Sequence, residues 1–119
     1  MGARSRRKGA AWERELAGRF RALGIYALRN LEEVRSGNSG DLMLRIPLSV
    51  QAKVGARPPI YEAVTQAQEA AGDQDVPVAM IRRNGAGSRP PDDLAVMPLD
   101  SFFEIVGALV EAGIWREEG

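Results

Sequence analysis

The chain contains no cysteine and no histidine, and these two absences exclude several kinds of site. Without cysteine there is no disulfide, no thiolate zinc site and no cysteine nucleophile. Without histidine there is no imidazole base, and therefore no Ser-His-Asp triad. Any catalysis by this chain must use carboxylates, lysine, hydroxyl groups or a hard metal ion held by oxygen ligands.

Long apolar runs are also missing, since no stretch approaches the roughly 20 residues of a membrane-spanning helix. The basic segment at residues 4–8 is soon followed by the charged run 13–15, which does not fit the apolar core of a signal peptide. We therefore expect an intracellular, cytoplasmic protein with no membrane partner. Its 119 residues, of which 27% are charged and 6% aromatic, fit one soluble globular domain over 1–119.

The formal net charge is zero, but the charges are divided along the chain. Residues 1–57 carry 12 basic side chains against five acidic ones, a balance of +7. Residues 58–119 carry four basic against 11 acidic side chains, a balance of −7. This division predicts that one face meets a polyanion, with nucleic acid as the leading candidate, although two solvated faces of opposite charge give the same composition.

The pattern of apolar residues predicts an α/β domain with a central mixed sheet flanked by helices, in the order α-β-β-β-α-β-β-α. The segment 1–8 forms a basic N-terminal arm, and Gly24 ends the first helix. Asp100 or Ser101 caps the last helix. The predicted helices are 8–23, 60–71 and one after residue 100, and the predicted strands are 25–28, 42–46, 48–54, 76–81 and 94–97.

One carboxylate lies on an apolar helical stripe. Glu13 falls on the same side of the first helix as Leu16 and Phe20, whereas Glu15 points to solvent. A carboxylate that faces a core is costly unless it is paired, hydrogen-bonded or bound to a metal ion. A glutamate at the edge of the stripe that swings outward explains the same spacing.

The third predicted strand alternates strictly, with Gln51 and Lys53 on one face and apolar residues on the other. A half-exposed strand gives this pattern routinely. Asp41 precedes the second strand, and hairpin-like pairing of the two strands brings it beside Gln51 and Lys53. We expect these three residues to line one cleft, with Glu13 reaching it from the first helix. Such oxygen ligands suit Mg²⁺ or Mn²⁺, and a lysine there suits water or a phosphate.

These residues resemble those of a known enzyme family. The chain has a glutamate on a helix, then Gly-Asp, then a strand that contains Gln-Ala-Lys. This order resembles the PD-(D/E)XK nuclease superfamily. The opening RRKGAAWERELAGRFRALGIYALRN is similar to that of the archaeal-type Holliday-junction resolvases within it. The loop SGNSGDL at 36–42 and the later helix and strand follow the same order, so the resemblance covers residues 4–98.

The resemblance implies a restriction-endonuclease-like core and a Mg²⁺-dependent endodeoxyribonuclease, with Mn²⁺ as a substitute, that resolves four-way DNA junctions by paired cuts. It implies that Asp41, Gln51 and the main-chain carbonyl of Ala52 hold the metal, with Glu13 on a second ion or its waters. Lys53 is implied to orient the attacking water. The implied contacts to branched double-stranded DNA are Arg6, Arg7, Lys8, Arg14, Arg35, Ser36, Ser39 and Arg57. The resemblance implies an archaeal, bacterial or phage-encoded protein.

Gln51 departs from the family pattern, which most often has an acidic residue there. A glutamine carbonyl ligates Mg²⁺ without adding charge, so we expect weaker metal binding. Two alternatives stay open: a nicking or end-processing nuclease of the same fold, and a catalytically degenerate DNA-binding module. Paired cuts require two sites, and one small domain has room for one, so we expect a twofold homodimer. Apolar residues near the C-terminus are candidates for its interface: Ile105, Val106, Leu109, Val110, Ile114 and Trp115.

Overall fold

The computed structural model describes residues 3–31, 40–85 and 92–118, with side chains from residue 7 onward. Three helices and five strands follow one another in the predicted order α-β-β-β-α-β-β-α. The elements are α1 Ala3–Ala22, β1 Ala27–Arg29, β2 Leu42–Leu44, β3 Leu48–Gly55, α2 Ile60–Ala70, β4 Val76–Arg83, β5 Asp92–Val96 and α3 Leu99–Glu111. Among the described residues, no helix combines the length and hydropathy needed to cross a bilayer.

The strands form an antiparallel pair and a mixed three-stranded sheet. β1 pairs with β2 in the antiparallel pair. β3 pairs in parallel with β4, and Gly40, just ahead of β2, forms a single bridge to Val50 of β3. β5 runs antiparallel to β4 at the far edge. The mixed sheet and the α/β class are thus confirmed. The predicted hairpin between the second and third strands is wrong, because β2 pairs with β1 and residues 45–47, including Pro47, form a bend.

Helices α1 and α2 cover opposite faces of the sheet. Trp12 and Leu16 of α1 are buried against Val50 and Leu42, and they form the larger core with Val78. Ala63 of α2 packs on Ala79 and Ile81 of β4, on the other face. Burying one large apolar side chain contributes about 1.5–3 kcal/mol, so the residues around Trp12 hold α1 on the sheet.

Several element ends differ from the sequence prediction. Helix α1 begins at Ala3 and so takes in most of the predicted basic arm, because no proline or capping residue stops it there. It ends at Ala22, and Leu23 turns outward into solvent before Gly24, whose φ of 84° favours glycine. β5 begins at Asp92, two residues early. Helix α3 has Pro98 at its N-cap without a side-chain hydrogen bond, so neither Asp100 nor Ser101 caps it.

Candidate functional site

Asp41 is held against β3 by a turn that requires glycine. Gly40 has a φ of 72°, and a Cβ there would lie 2.6 Å from the carbonyl oxygen of Val50. The close approach lets the Asp41 amide donate to the Val50 carbonyl at 2.7 Å. One oxygen of the Asp41 carboxylate, Oδ2, accepts the Ala52 amide at 2.8 Å. The side chain of Asp41 is therefore fixed beside the middle of β3, in a residue only 7% exposed.

Asn30 ties the end of β1 to the same turn. Its backbone amide donates to the Asp41 carbonyl at 2.9 Å, and its side-chain Nδ2 donates to the Gly40 carbonyl at 2.8 Å. Asn30 is buried, so these bonds form in a low-dielectric interior where each is strong. The sequence prediction missed Asn30, since an asparagine ahead of a polar loop is an ordinary turn residue.

Gln51 and Lys53 lie on one face of β3 and flank Ala52. The same face carries Ser49, whose hydroxyl donates to the Ala67 carbonyl of α2 at 3.1 Å. Both Gln51 and Lys53 are half-buried, and Lys53 makes no ion pair with any described residue. Since the N–H and C=O of one strand residue point to the same edge, the Ala52 carbonyl faces the side on which Asp41 lies.

Glu13 forms an ion pair with Arg29 of β1. The Oε1 of Glu13 accepts the Arg29 Nε at 3.1 Å, and both side chains are largely shielded from solvent. Arg29 is followed directly by Asn30, which bonds to Asp41. Glu13, on the α1 side, is thus linked to the Asp41 turn through Arg29 and Asn30. Glu15, expected to face solvent, is exposed but bonds to Arg82.

The structure thus brings Asp41 to β3 next to Gln51, Ala52 and Lys53, and brings Glu13 to the neighbouring end of β1. Gln51 and Lys53 lie on the face of the sheet that α2 covers, whereas Glu13 comes from the helix on the other face. In the described part of the chain one bridge, Gly40 to Val50, joins the two sheets. Asp41 lies at the junction of the two sheets, held to β3 by the bonds to Val50 and Ala52.

The predicted metal ligands offer oxygen atoms, which a hard cation such as Mg²⁺ prefers. They are the carboxylates of Asp41 and Glu13, the Gln51 amide and the Ala52 carbonyl. No group of three or more acidic side chains is close enough to hold a metal among the described residues. Arg29 also offsets part of the charge of Glu13. A metal ion bound by Asp41 would therefore need further ligands from water or substrate.

Arginines repeat every seven residues along α1. Arg7, Arg14 and Arg21 stand seven residues apart, so they follow one side of the helix at about 10.5 Å per step. Arg14, Arg21 and Arg29 line a groove of about 330 Å³ between α1 and β1. Arg21 and Arg29 were not predicted as site residues, although the seven-residue spacing was visible in the sequence.

The other predicted DNA contacts are scattered. Lys8 is exposed on α1, and Arg57 is exposed in the bend after β3. Arg35, Ser36 and Ser39 lie outside the described residues, as does the side chain of Arg6.

A second charged cluster, on β4 and β5, is fully paired. Arg82 donates to Glu15 at 2.8 and 2.9 Å and to Asp93 at 2.8 Å, and it stacks 4.3 Å from the centre of the Trp12 ring. The hydrogen bonds to Asp93 and Glu15 raise the pKa of Arg82 above its already high ordinary value. The bond from Arg82 lowers the pKa of Asp93. This cluster joins α1 to the sheet, with one guanidinium group shared between two carboxylates.

No family model, curated protein or solved structure matches this chain. The geometry and chemistry of its own residues are therefore the basis for assigning a function.

Proposed function

We propose that the protein is a Mg²⁺-dependent, structure-selective DNA endonuclease that resolves four-way junctions by paired phosphodiester hydrolysis. The observation that carries this proposal is the position of the Asp41 carboxylate, bonded to the Ala52 amide between Gln51 and Lys53. The Asp41 carboxylate, the Gln51 amide and the Ala52 carbonyl would supply oxygen ligands for a cation. The Lys53 ammonium group would supply a positive charge for an anion.

In the proposed site Asp41, Gln51 and the Ala52 carbonyl hold the metal. When bound, Mg²⁺ supplies charge neutralisation at the phosphate and lowers the pKa of a water ligand. Lys53 orients the attacking water and stabilises the added charge on the pentavalent phosphate, a task for which it has no competing ion pair among the described residues. Glu13 binds a second ion or its waters while it shares its carboxylate with Arg29.

The DNA surface in this proposal runs from the site along α1. Exposed guanidinium groups at Arg7 and Arg14 and the groove beside Arg21 offer contacts to successive phosphates. Such contacts position the duplex without reading its sequence, as selectivity for a branched shape requires. The basic balance of +7 in residues 1–57 supports this surface, since most of these side chains belong to α1 and the strands that follow it.

The second candidate is a DNA-binding module without catalysis. Gln51 in place of a carboxylate and the absence of a group of three acidic side chains among the described residues favour it. Asp41 and Lys53 favour the enzyme, because binding DNA alone does not require a carboxylate fixed beside a lysine.

The test compares a four-way junction, a linear duplex and a nicked duplex, each with Mg²⁺ and with EDTA. We expect paired symmetric nicks in the junction alone, abolished by EDTA and in Asp41→Asn, while Asp41→Asn still binds the junction. Metal-dependent cutting of all three DNAs supports the nicking nuclease. Tight binding with no cutting by the wild-type protein supports the DNA-binding module, and cutting that survives Asp41→Asn removes Asp41 from the metal site.

A further inference from the structure

Helix α2 carries a buried glutamine oxygen that lacks a hydrogen-bond donor. In the described part of the chain, the Oε1 of Gln66 is shielded from solvent and no donor lies within hydrogen-bonding distance of it. The other end of the same amide, Nε2, donates to the Oε1 of Glu62 at 3.4 Å, one helical turn earlier. A buried acceptor without a donor costs stability, so its presence in a folded chain requires an explanation.

Glu62 determines which end of the Gln66 amide faces the interior. The oxygen and the nitrogen of a glutamine amide exchange places when the end of the side chain makes a half-turn. An ionised carboxylate only accepts hydrogen bonds, so Gln66 turns its Nε2 toward Glu62 and its Oε1 away. The interior side of α2 is therefore offered an acceptor and not a donor.

The flank of α2 that carries Gln66 faces β3. Successive helical residues are 100° apart, so Val64 and Gln66 lie on opposite sides of the line through the buried Ala63 and Ala67. Val64 packs, like Val96 of β5, against the cluster on β4. The opposite flank is therefore turned toward β3, and the right-handed crossover typical of parallel strands gives the same direction.

Gln66 also lies at the height of Gln51 along the strand. The Ser49 hydroxyl donates to the Ala67 carbonyl, which fixes this part of α2 over the start of β3. One turn earlier, Ala63 packs on the β4 residue that pairs with Gln51. Helical side chains lean toward the N-terminus of the helix, so Gln66 extends from the level of Ser49 toward that of Gln51. The Gln51 side chain lies on the same face of β3 as Ser49.

Gln51 is a residue that needs such an acceptor. A glutamine that binds a cation must present Oε1, whereas a half-turn of the amide would present the N–H groups of Nε2 and repel the cation. A glutamate at this position would present an oxygen in either orientation. An acceptor for Nε2 therefore fixes the useful orientation of Gln51, as hydrogen-bond partners behind metal ligands do elsewhere.

We propose that Gln66 is a positioning residue for Gln51. Its Oε1 accepts a hydrogen bond from the Nε2 of Gln51 when a cation is bound, and the Oε1 of Gln51 is thereby turned toward the cation. Glu62, Gln66 and Gln51 then form one directional chain, from carboxylate to amide to amide, that ends on an oxygen. This assignment rests on the proposed metal-dependent function, and it gives a reason why a neutral glutamine can serve at position 51.

The test is a set of calorimetric titrations with Mn²⁺ on the full chain. Gln66→Met keeps the length of the side chain and removes the amide, and we expect it to weaken Mn²⁺ binding about 10-fold. In a Gln51→Glu protein the same substitution should change the affinity little, because a carboxylate has no nitrogen to turn away. Gln68→Met, at an exposed position of the same helix, is the matched control and should bind as wild type does. Circular dichroism checks that each variant stays folded.

Nuclear magnetic resonance supplies a measurement that needs no substitution. In wild-type protein with excess Mg²⁺, we expect an Overhauser contact between the Nε2 hydrogens of Gln51 and the γ-methylene of Gln66. Its absence would overturn the assignment. Equal losses of Mn²⁺ affinity from Gln66→Met in the Gln51 and Gln51→Glu proteins would also overturn it, because they would indicate a merely structural role.

The outcomes separate this assignment from the proposed function. DNA cleavage by a wild-type protein whose Mn²⁺ affinity equals that of Gln66→Met removes the positioning role and leaves the nuclease. The expected affinities in a protein that cuts no DNA leave the positioning role and remove the nuclease. A wild-type protein that binds no Mn²⁺ overturns both.

Discussion

The two charged regions of the sheet differ in whether their basic side chains are compensated by described carboxylates. On the β4–β5 side, Arg82 bonds to two carboxylates and stacks on Trp12, and Arg83 bonds to Asp92. On the β2–β3 side, Lys53 makes no ion pair with a described residue, and Asp41 is held by a backbone amide. The first region joins elements of the fold through its ion pairs, and in the second we propose that Asp41 and Lys53 serve a metal ion and an anionic substrate.

The largest effect that separates the two regions concerns Lys53. Lys53→Met removes the charge proposed to stabilise the transition state but keeps the length of the side chain. We expect the rate of junction cleavage to fall at least about 100-fold, with junction affinity little changed. Gel assays of cleavage and binding measure both quantities. Arg83→Met, on the compensated side, is the matched control, and equal rates in the two variants would remove Lys53 from the chemistry.

Substitution of Gly40 tests whether the turn that holds Asp41 depends on the backbone conformation of this glycine. Gly40→Ala puts a Cβ 2.6 Å from the Val50 carbonyl at a φ of 72°. We expect the free energy of unfolding to fall by about 2 kcal/mol, because both the clash and the torsion angle are unfavourable. Urea denaturation measures it. Gly55→Ala meets no atom within 4 Å, so it should change stability little. A Gly40→Ala protein as stable as wild type would contradict the turn geometry.

Substitution of Arg82 tests how much the ion pairs of the compensated region stabilise the fold. Arg82→Met leaves Glu15 and Asp93 without their shared partner and removes the stacking on Trp12. We expect the free energy of unfolding to fall by about 1–2 kcal/mol, since the network is only partly shielded from water. Arg83→Met breaks one exposed pair and should cost no more than about 0.5 kcal/mol. Equal decreases in the two variants would show that the Arg82 cluster has no special role.

The smallest effect concerns the row of arginines on α1. Replacing Arg7, Arg14 and Arg21 with glutamine should reduce the dependence of junction binding on salt. The slope of log K against log salt should fall by about 0.9 for each phosphate that the variant no longer neutralises. Binding titrations at several salt concentrations measure this slope. Arg83→Gln should leave it unchanged, and an unchanged slope in the triple variant would place the DNA elsewhere.

Local patterns in the sequence predicted the order of elements and the faces on which several residues lie. The alternation in β3 fixes Gln51 and Lys53 on one face, and the apolar stripe places Trp12 and Leu16 in the core. The route by which Asp41 reaches β3 was predicted wrongly, since partner choice between short strands depends on long-range packing. The Glu13–Arg29 pair and the two bonds of Asn30 join residues far apart in the chain, so no local pattern shows them.

The central claim is that Asp41, Gln51 and Ala52 form a metal site that is short of one negative charge. A calorimetric titration with Mn²⁺ tests it directly, using wild type, Asp41→Asn and Gln51→Glu, each with and without a junction that cannot be cleaved. We expect weak binding to free wild type, tighter binding with the junction because its phosphate adds an anionic oxygen, and tighter binding to free Gln51→Glu. Asp41→Asn should bind least. Equal affinities in the three DNA-free proteins would contradict the claim.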